Sequence, residues 1–202
     1  PVISNMLRNS HQSFLQQYAS SGDHYSFEQA PIAALKSPNV SDETLEKASK
    51  HPVWGVRYRV ANKSNVGAHH LKSLMNDEDP DIVETVCRNP NATPDILNHC
   101  SNHGAWFVRS AVARHPATPV ETLSKLARDP IENVKNDAVS NPNIPHEDLV
   151  HGAKTGDINH ALCAFNHEKT DYDVVHAGLE NPHKEVRSYA ASMMGRGRET
   201  AV

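Results

Sequence analysis

Histidine and cysteine are the residues of this chain with the most chemistry to offer. There are 14 histidines and 3 cysteines, and the tightest group is His99, Cys100 and His103. On a helix, His99 and His103 share one face at a spacing compatible with zinc. Zinc needs further ligands, and no Cys or His pair follows at finger spacing. Cys100 also falls on a position that is apolar elsewhere in the chain. No metal is therefore expected. Cys87 and Cys100 read as small core residues, and with Cys163 they form an odd, scattered set, which suits a reducing, cytoplasmic compartment.

No H-E-x-x-H, G-x-S-x-G, phosphate-loop or dinucleotide glycine pattern occurs, so no catalytic residue and no cofactor is expected. A binding role has better candidates. Trp54 and Trp106 are 52 residues apart with Pro80 midway between them. Tyr58, Arg59 and Phe107 lie close in sequence, and Arg57 and Arg109 complete a patch suited to a protein partner, where tryptophan and arginine are common anchors. Against this, each tryptophan could simply close its own inter-helix turn. Acidic residues gather at Asp77, Glu78, Asp79, Asp81 and Glu84, which reads as a solvated face at a helix start. Lys and Arg total 20 against 24 Asp and Glu, the wrong balance for a phosphate-binding surface, so nucleic acid is not the expected partner. No run of apolar residues is long enough to cross a membrane.

The elements that would position these residues repeat. Sliding the stretch 113–139 along the chain gives a period of 26 residues. Leu45, Leu71, Leu97, Leu123, Leu149 and Val175 hold one position; Val56, Ile82, Val108, Val134, His160 and Val186 hold a second; Val60, Val86, Val112, Ala138, Ala164 and Ala190 hold a third. Within one unit, Val120 to Arg128 has apolar residues at helical spacing. Asp129 then reads as the N-cap of a second helix with Pro130 in its first turn, burying Ile131, Val134, Ala138 and Val139. Self-similarity at this period implies an all-α, right-handed α-solenoid of about six two-helix repeats. Residues 1–37 read as an N-terminal helical cap, 38–194 as the repeats and 195–202 as a polar tail. The fifth repeat departs most: Gly152, Gly156 and His160 replace Leu126, Pro130 and Val134, and its second helix is expected to be the weakest or most displaced.

The segments PNATP at Pro90, PATP at Pro116 and PNIP at Pro142, each followed by a leucine-bearing helix, resemble the leucine-rich-repeat variant, and D-P-x-x-x-V-[RK] resembles the HEAT repeat. The resemblance covers residues 34–194 and is best over 87–142. In HEAT-like repeats the aspartate opening the second helix and the arginine after its valine form a ladder. By that resemblance, Asp77 is expected to meet Arg57 or Arg109, and Asp129 to meet Arg109 or Lys135, with Arg187 at the end of the arginine column. His51, His103, Thr155 and Asn181 replace the aspartate elsewhere. Leucine-rich-repeat variant proteins can carry an iron–sulfur cluster near the N-terminus; no cysteine precedes Cys87, so none is expected. The resemblance carries the fold and not a function; the expected function is a non-catalytic module that binds or scaffolds another protein as a component of a larger assembly, and the alternative, known among HEAT-like solenoids, is nucleic-acid binding or DNA repair.

Overall fold

The structure, a computed structural model, describes residues 35–37 and 39–199. These form twelve α-helices in six consecutive pairs: α1 (Asp42–Ser49) with α2 (Trp54–Ala61), α3 (Ala68–Leu74) with α4 (Pro80–Arg88), α5 (Pro94–Cys100) with α6 (Trp106–Arg114), α7 (Val120–Leu126) with α8 (Glu132–Val139), α9 (His146–Thr155) with α10 (Ile158–Phe165), and α11 (Tyr172–Ala177) with α12 (Lys184–Glu199). There is no strand among the described residues. The starts of the first helices are 26 residues apart, and so are those of the second helices. The sequence period is thus the period of the fold.

Local chemistry sets these starts. Ser41 accepts the Thr44 N–H at 3.2 Å and caps α1. Asp79 does the same for α4, where Pro80 takes the first helical position at no cost in hydrogen bonds. Asp157 caps α10 and Asp171 caps α11. Most of these helices have only six to nine residues, too few to be stable alone, so burial must hold them. Leu71, Leu97, Leu123 and Leu149 are fully buried, as are Val56, Ile82, Val108 and Val134, and Val60, Val86, Val112, Ala138 and Ala164. The even-numbered helices pack on one another in unbroken succession from α2 to α12, whereas consecutive odd-numbered helices pack closely only in the pairs α1–α3 and α9–α11. The core is a seam between stacked layers rather than a centre.

Four expectations need correction. Asp129 is not a cap: its Oδ1 accepts the Ile131 N–H at 2.9 Å, which makes a turn before the helix, and α8 starts at Glu132 with Ile131 as its N-cap residue. Ile131 is consequently 39% exposed instead of buried. The second helix of the fifth pair is not weak: α10 has the eight residues of α2 and α8 and packs against both α8 and α12. The change falls on the first helix instead. There α9 runs ten residues, against seven in α3, α5 and α7, and takes Thr155 into its last turn. Finally, α12 continues through Gly195 to Glu199. Two glycines there cost about 1 kcal/mol each but do not break a helix as proline would, so 195 is not a boundary. The cap expected over 1–37 lies outside the described residues except for 35–37, where Leu35 is buried.

Candidate functional site: the second-helix edge and its polar columns

Position 54 and its equivalents are the first residues of the second helices: Trp54, Pro80, Trp106, Glu132, Ile158 and Lys184. Because one helix start lies directly above the next, these side chains share one edge of the stack. Trp106 is 37% and Ile158 40% exposed, and Ile131 precedes Glu132 on the same edge. Trp54 is half-buried and meets Tyr58 edge-to-face at 5.8 Å between ring centroids; Trp106 meets Phe107 in the same manner at 6.1 Å. Each aromatic pair fixes the indole in place with little freedom left to lose on binding. Neither tryptophan caps a helix by a side-chain bond, since Val53 and Ala105 hold the N-cap positions. Arg59 is exposed one turn further along α2.

Arg57 and Arg109 do not face outward with them. The Arg57 guanidinium grips Asp77 of the next layer through both oxygens, at 2.7 Å from Nε and 3.0 Å from Nη2, while Nη1 donates to the His51 and Pro52 carbonyls. Arg109 repeats the arrangement on Asp129, at 2.7 and 2.9 Å, with Nη1 on the His103 and Gly104 carbonyls. Each arginine therefore closes the turn of its own layer and holds the aspartate of the layer after it. Lys135 keeps a looser form of the contact, 3.7 Å from Asp157. Arg187 donates Nη1 to the Asn181 and Pro182 carbonyls at 2.7 and 2.8 Å. Burial pushes the Asp129 carboxyl up, but the Arg109 bonds, the Ile131 N–H and the Arg109 charge outweigh it and leave it below the usual carboxylate range.

The histidines substitute for side-chain amides and carboxylates. In the aspartate column His51 Nδ1 accepts the Val53 N–H and His103 Nδ1 the Ala105 N–H, both at 3.1 Å, as Asp129 Oδ1 accepts that of Ile131. A second column runs through Lys63, Asn89, His115, Asn141 and His167, each donating to the main-chain carbonyl 26 residues earlier at 2.8 to 3.1 Å. The other half of each Asn and His is also used: Asn89 and Asn141 Oδ1, like His115 and His167 Nδ1, accept the N–H two residues on. An imidazole with one donor and one acceptor nitrogen serves here as an amide would. The signal of this column in the sequence is the alternation, every 26 residues, of Asn and His, two residue types that each offer a donor and an acceptor. His99, Cys100 and His103 do not converge: His99 Nε2 is 2.7 Å from Asn76 Oδ1, Cys100 is in the core, and His103 closes its turn.

Residues 106–131 match the family model for the leucine rich repeat variant. That segment is one full period, from the start of α6 to the residue before α8. One similar solved structure is described as a leucine-rich repeat variant with a novel repetitive protein structural motif; it is 21% identical over 82% of each chain, with a TM-score of 0.38. No curated protein matches the chain. No helix among the described residues is long and apolar enough to cross a membrane. The chain is a helical repeat protein, with a leucine rich repeat variant unit matched at residues 106–131.

Proposed function

We propose that this chain is a non-catalytic binding or scaffolding module and that it holds another protein along the edge formed by the starts of its second helices. The observation that carries this reading is the row of exposed apolar side chains on one edge, Trp106 at 37%, Ile131 at 39% and Ile158 at 40%, continued by Trp54 with Tyr58. Rigid aromatic anchors with apolar neighbours are what protein hot spots are made of. Glu132, in the row itself, supplies a polar neighbour. Nucleic-acid binding is disfavoured by the fate of the cations. Arg57 and Arg109 are committed to Asp77 and Asp129, and Lys125 to Ser101 and Asn102, so they are not available to replace counterions on a phosphate backbone.

The test compares the tagged chain with its Trp106→Ala/Ile158→Ala variant in an extract of the native source. A specific protein held by the unaltered chain should be lost with the variant, its affinity lowered about 30-fold, as removal of a 2 kcal/mol anchor implies, while circular dichroism stays helical. Equal retention by both chains would remove the edge from consideration. Salt-sensitive retention of duplex DNA would favour the nucleic-acid reading instead.

A further inference from the structure

The fold brings together a group of ligand atoms at the N-terminal end of the stack that sequence spacing does not reveal. Asp42 opens α1, and His69 and His70 lie in the first turn of α3, the equivalent helix of the next layer. Asp42 Oδ1 lies 2.9 Å from His70 Nε2 and 3.1 Å from His69 Nε2. The two imidazoles, adjacent in sequence, are folded together with centroids 3.8 Å apart, so both Nε2 atoms point at one carboxylate. The three ligand atoms all lie within 4.8 Å of one another.

His70 is the unusual member. Its equivalents are Thr44, Ile96, Thr122, Asp148 and Val174. Its ring is fully buried, and its Nδ1 stands 3.4 Å from Glu46 Oε2 without completing a hydrogen bond. A buried imidazole with one nitrogen facing a carboxylate and the other aimed at converging ligand atoms is the outer-shell pattern of a metal-bound histidine, in which the carboxylate fixes the tautomer and orients the ring.

We propose that Asp42, His69 and His70 bind a divalent transition-metal ion of the zinc class, with Glu46 as the carboxylate behind His70. Zinc bound at about 2.0–2.1 Å in a tetrahedron sets its ligand atoms about 3.3 Å apart, so the present separations of 2.9 and 3.1 Å need to open by only a few tenths of an ångström. Two imidazoles and one carboxylate suit Zn²⁺, Co²⁺ or Ni²⁺ and exclude a preference for Ca²⁺ or Mg²⁺, which take oxygen ligands. Three protein ligands leave a fourth position for water. The helix dipoles of α1 and α3 oppose a cation there; Glu43 and Glu46 on α1 are each paired with a lysine, Lys47 and Lys50, so the Asp42 carboxylate is the charge that offsets them. The ion would clip the first two layers together. It would bind the folded chain far better than the unfolded one, because Asp42 and the histidines are 27 and 28 residues apart.

The test titrates the full chain with Zn²⁺ against a chromophoric chelator, and with Co²⁺ by its visible absorption. The expected result is one tight equivalent, with the intense bands of four-coordinate cobalt. Asp42→Asn and His69→Gln, both exposed positions, should lower affinity at least 10-fold without loss of helicity, and Glu46→Gln should lower it about 10-fold through the outer shell. His146→Gln, at a separate histidine–aspartate pair, should leave it unchanged. Only weak, multiple binding that these variants do not alter, or equal loss on His146→Gln, would overturn the site.

Discussion

Arg109 and Asp129 show how a single pair can do two structural jobs. The guanidinium bridges the turn of its own layer and the carboxylate of the next, and the carboxylate in turn shapes the backbone before α8. Both side chains are largely buried, so removing one partner strands the other. Arg109→Met should cost about 3 kcal/mol, measured by urea unfolding at neutral pH, because Asp129 is left as an uncompensated charge; Arg109→Met/Asp129→Leu should recover part of that loss. The pH dependence has a definite sign. Asp129 is depressed below its ordinary value of 3.8, so its contribution is complete above about pH 4 and is lost as pH falls through the lower folded-state value. The arginine variant should therefore show less loss of stability between pH 5 and pH 2 than the unaltered chain. An undiminished acid transition in the variant would mean that other carboxylates carry it.

At the scale of the helix pair, the fifth layer is informative because it breaks the pattern and still packs. Position 126 is leucine and position 134 valine in the fourth layer; the fifth exchanges them for Gly152 and His160. A β-carbon built on Gly152 would come within 3.0 Å of His160 Nε2, and one on Gly156 within 2.5 Å of the Gly152 carbonyl oxygen and 2.6 Å of His160 Cδ2. The imidazole occupies the volume that the glycines give up, and its Nδ1 is 3.1 Å from Asn136 Oδ1 in the layer before. Read column by column, the glycines and the histidine looked like three separate losses; read as volumes they compensate. That is why the leucine and valine columns and the solenoid were legible in the sequence, being properties of single positions at a fixed period, while this layer was not. The same limit hid the Asp42–His69–His70 group, whose members fall in different columns and meet only through stacking. Gly152→Leu alone should destabilise by about 2 kcal/mol through overlap with the ring, and His160→Val alone by about 1–2 kcal/mol through a cavity. Combined, they should cost at least 1 kcal/mol less than the sum. Burial, with Lys135 nearby, lowers the His160 imidazole to about 4 from 6.5. The unfolded chain thus binds a proton that the folded chain refuses between those values, and stability should fall as pH drops from 6.5 to 4, by about 3 kcal/mol at most. His160→Val should flatten that portion of the profile.

Across the whole molecule, stability is a chain of nearest-neighbour terms. The first five layers are joined, each to the next, by the apolar seam and by one step of the Lys63–Asn89–His115–Asn141–His167 column, and the sixth by its seam and by Asn181 on the Ala153 and Gly156 carbonyls, so no contact reaches from the first layer to the last. Asn141 is the most exacting step. It is buried, donates to the Ala113 and His115 carbonyls at 2.7 and 3.1 Å, and accepts the Asn143 N–H at 2.9 Å. Asn141→Ala leaves two buried carbonyls and an N–H without that partner, a loss of about 3 kcal/mol, since an unmet buried group costs more than a bond yields. In a protein with a central core, such a loss would lower one cooperative transition. Here it falls on a single interface, between the layer of α5–α6 and that of α7–α8, and the stack should come apart there. Denaturant unfolding followed by circular dichroism should change from one transition to two. Amide exchange should show α6 and α8, which flank the cut, losing more protection than α2 and α12. The order is set by where the stack is cut: α6 and α8 lose the seam they share, whereas α2 and α4, like α10 and α12, keep theirs. A single, uniformly weakened transition with exchange accelerated equally from α2 to α12 would mean that coupling extends beyond adjacent layers.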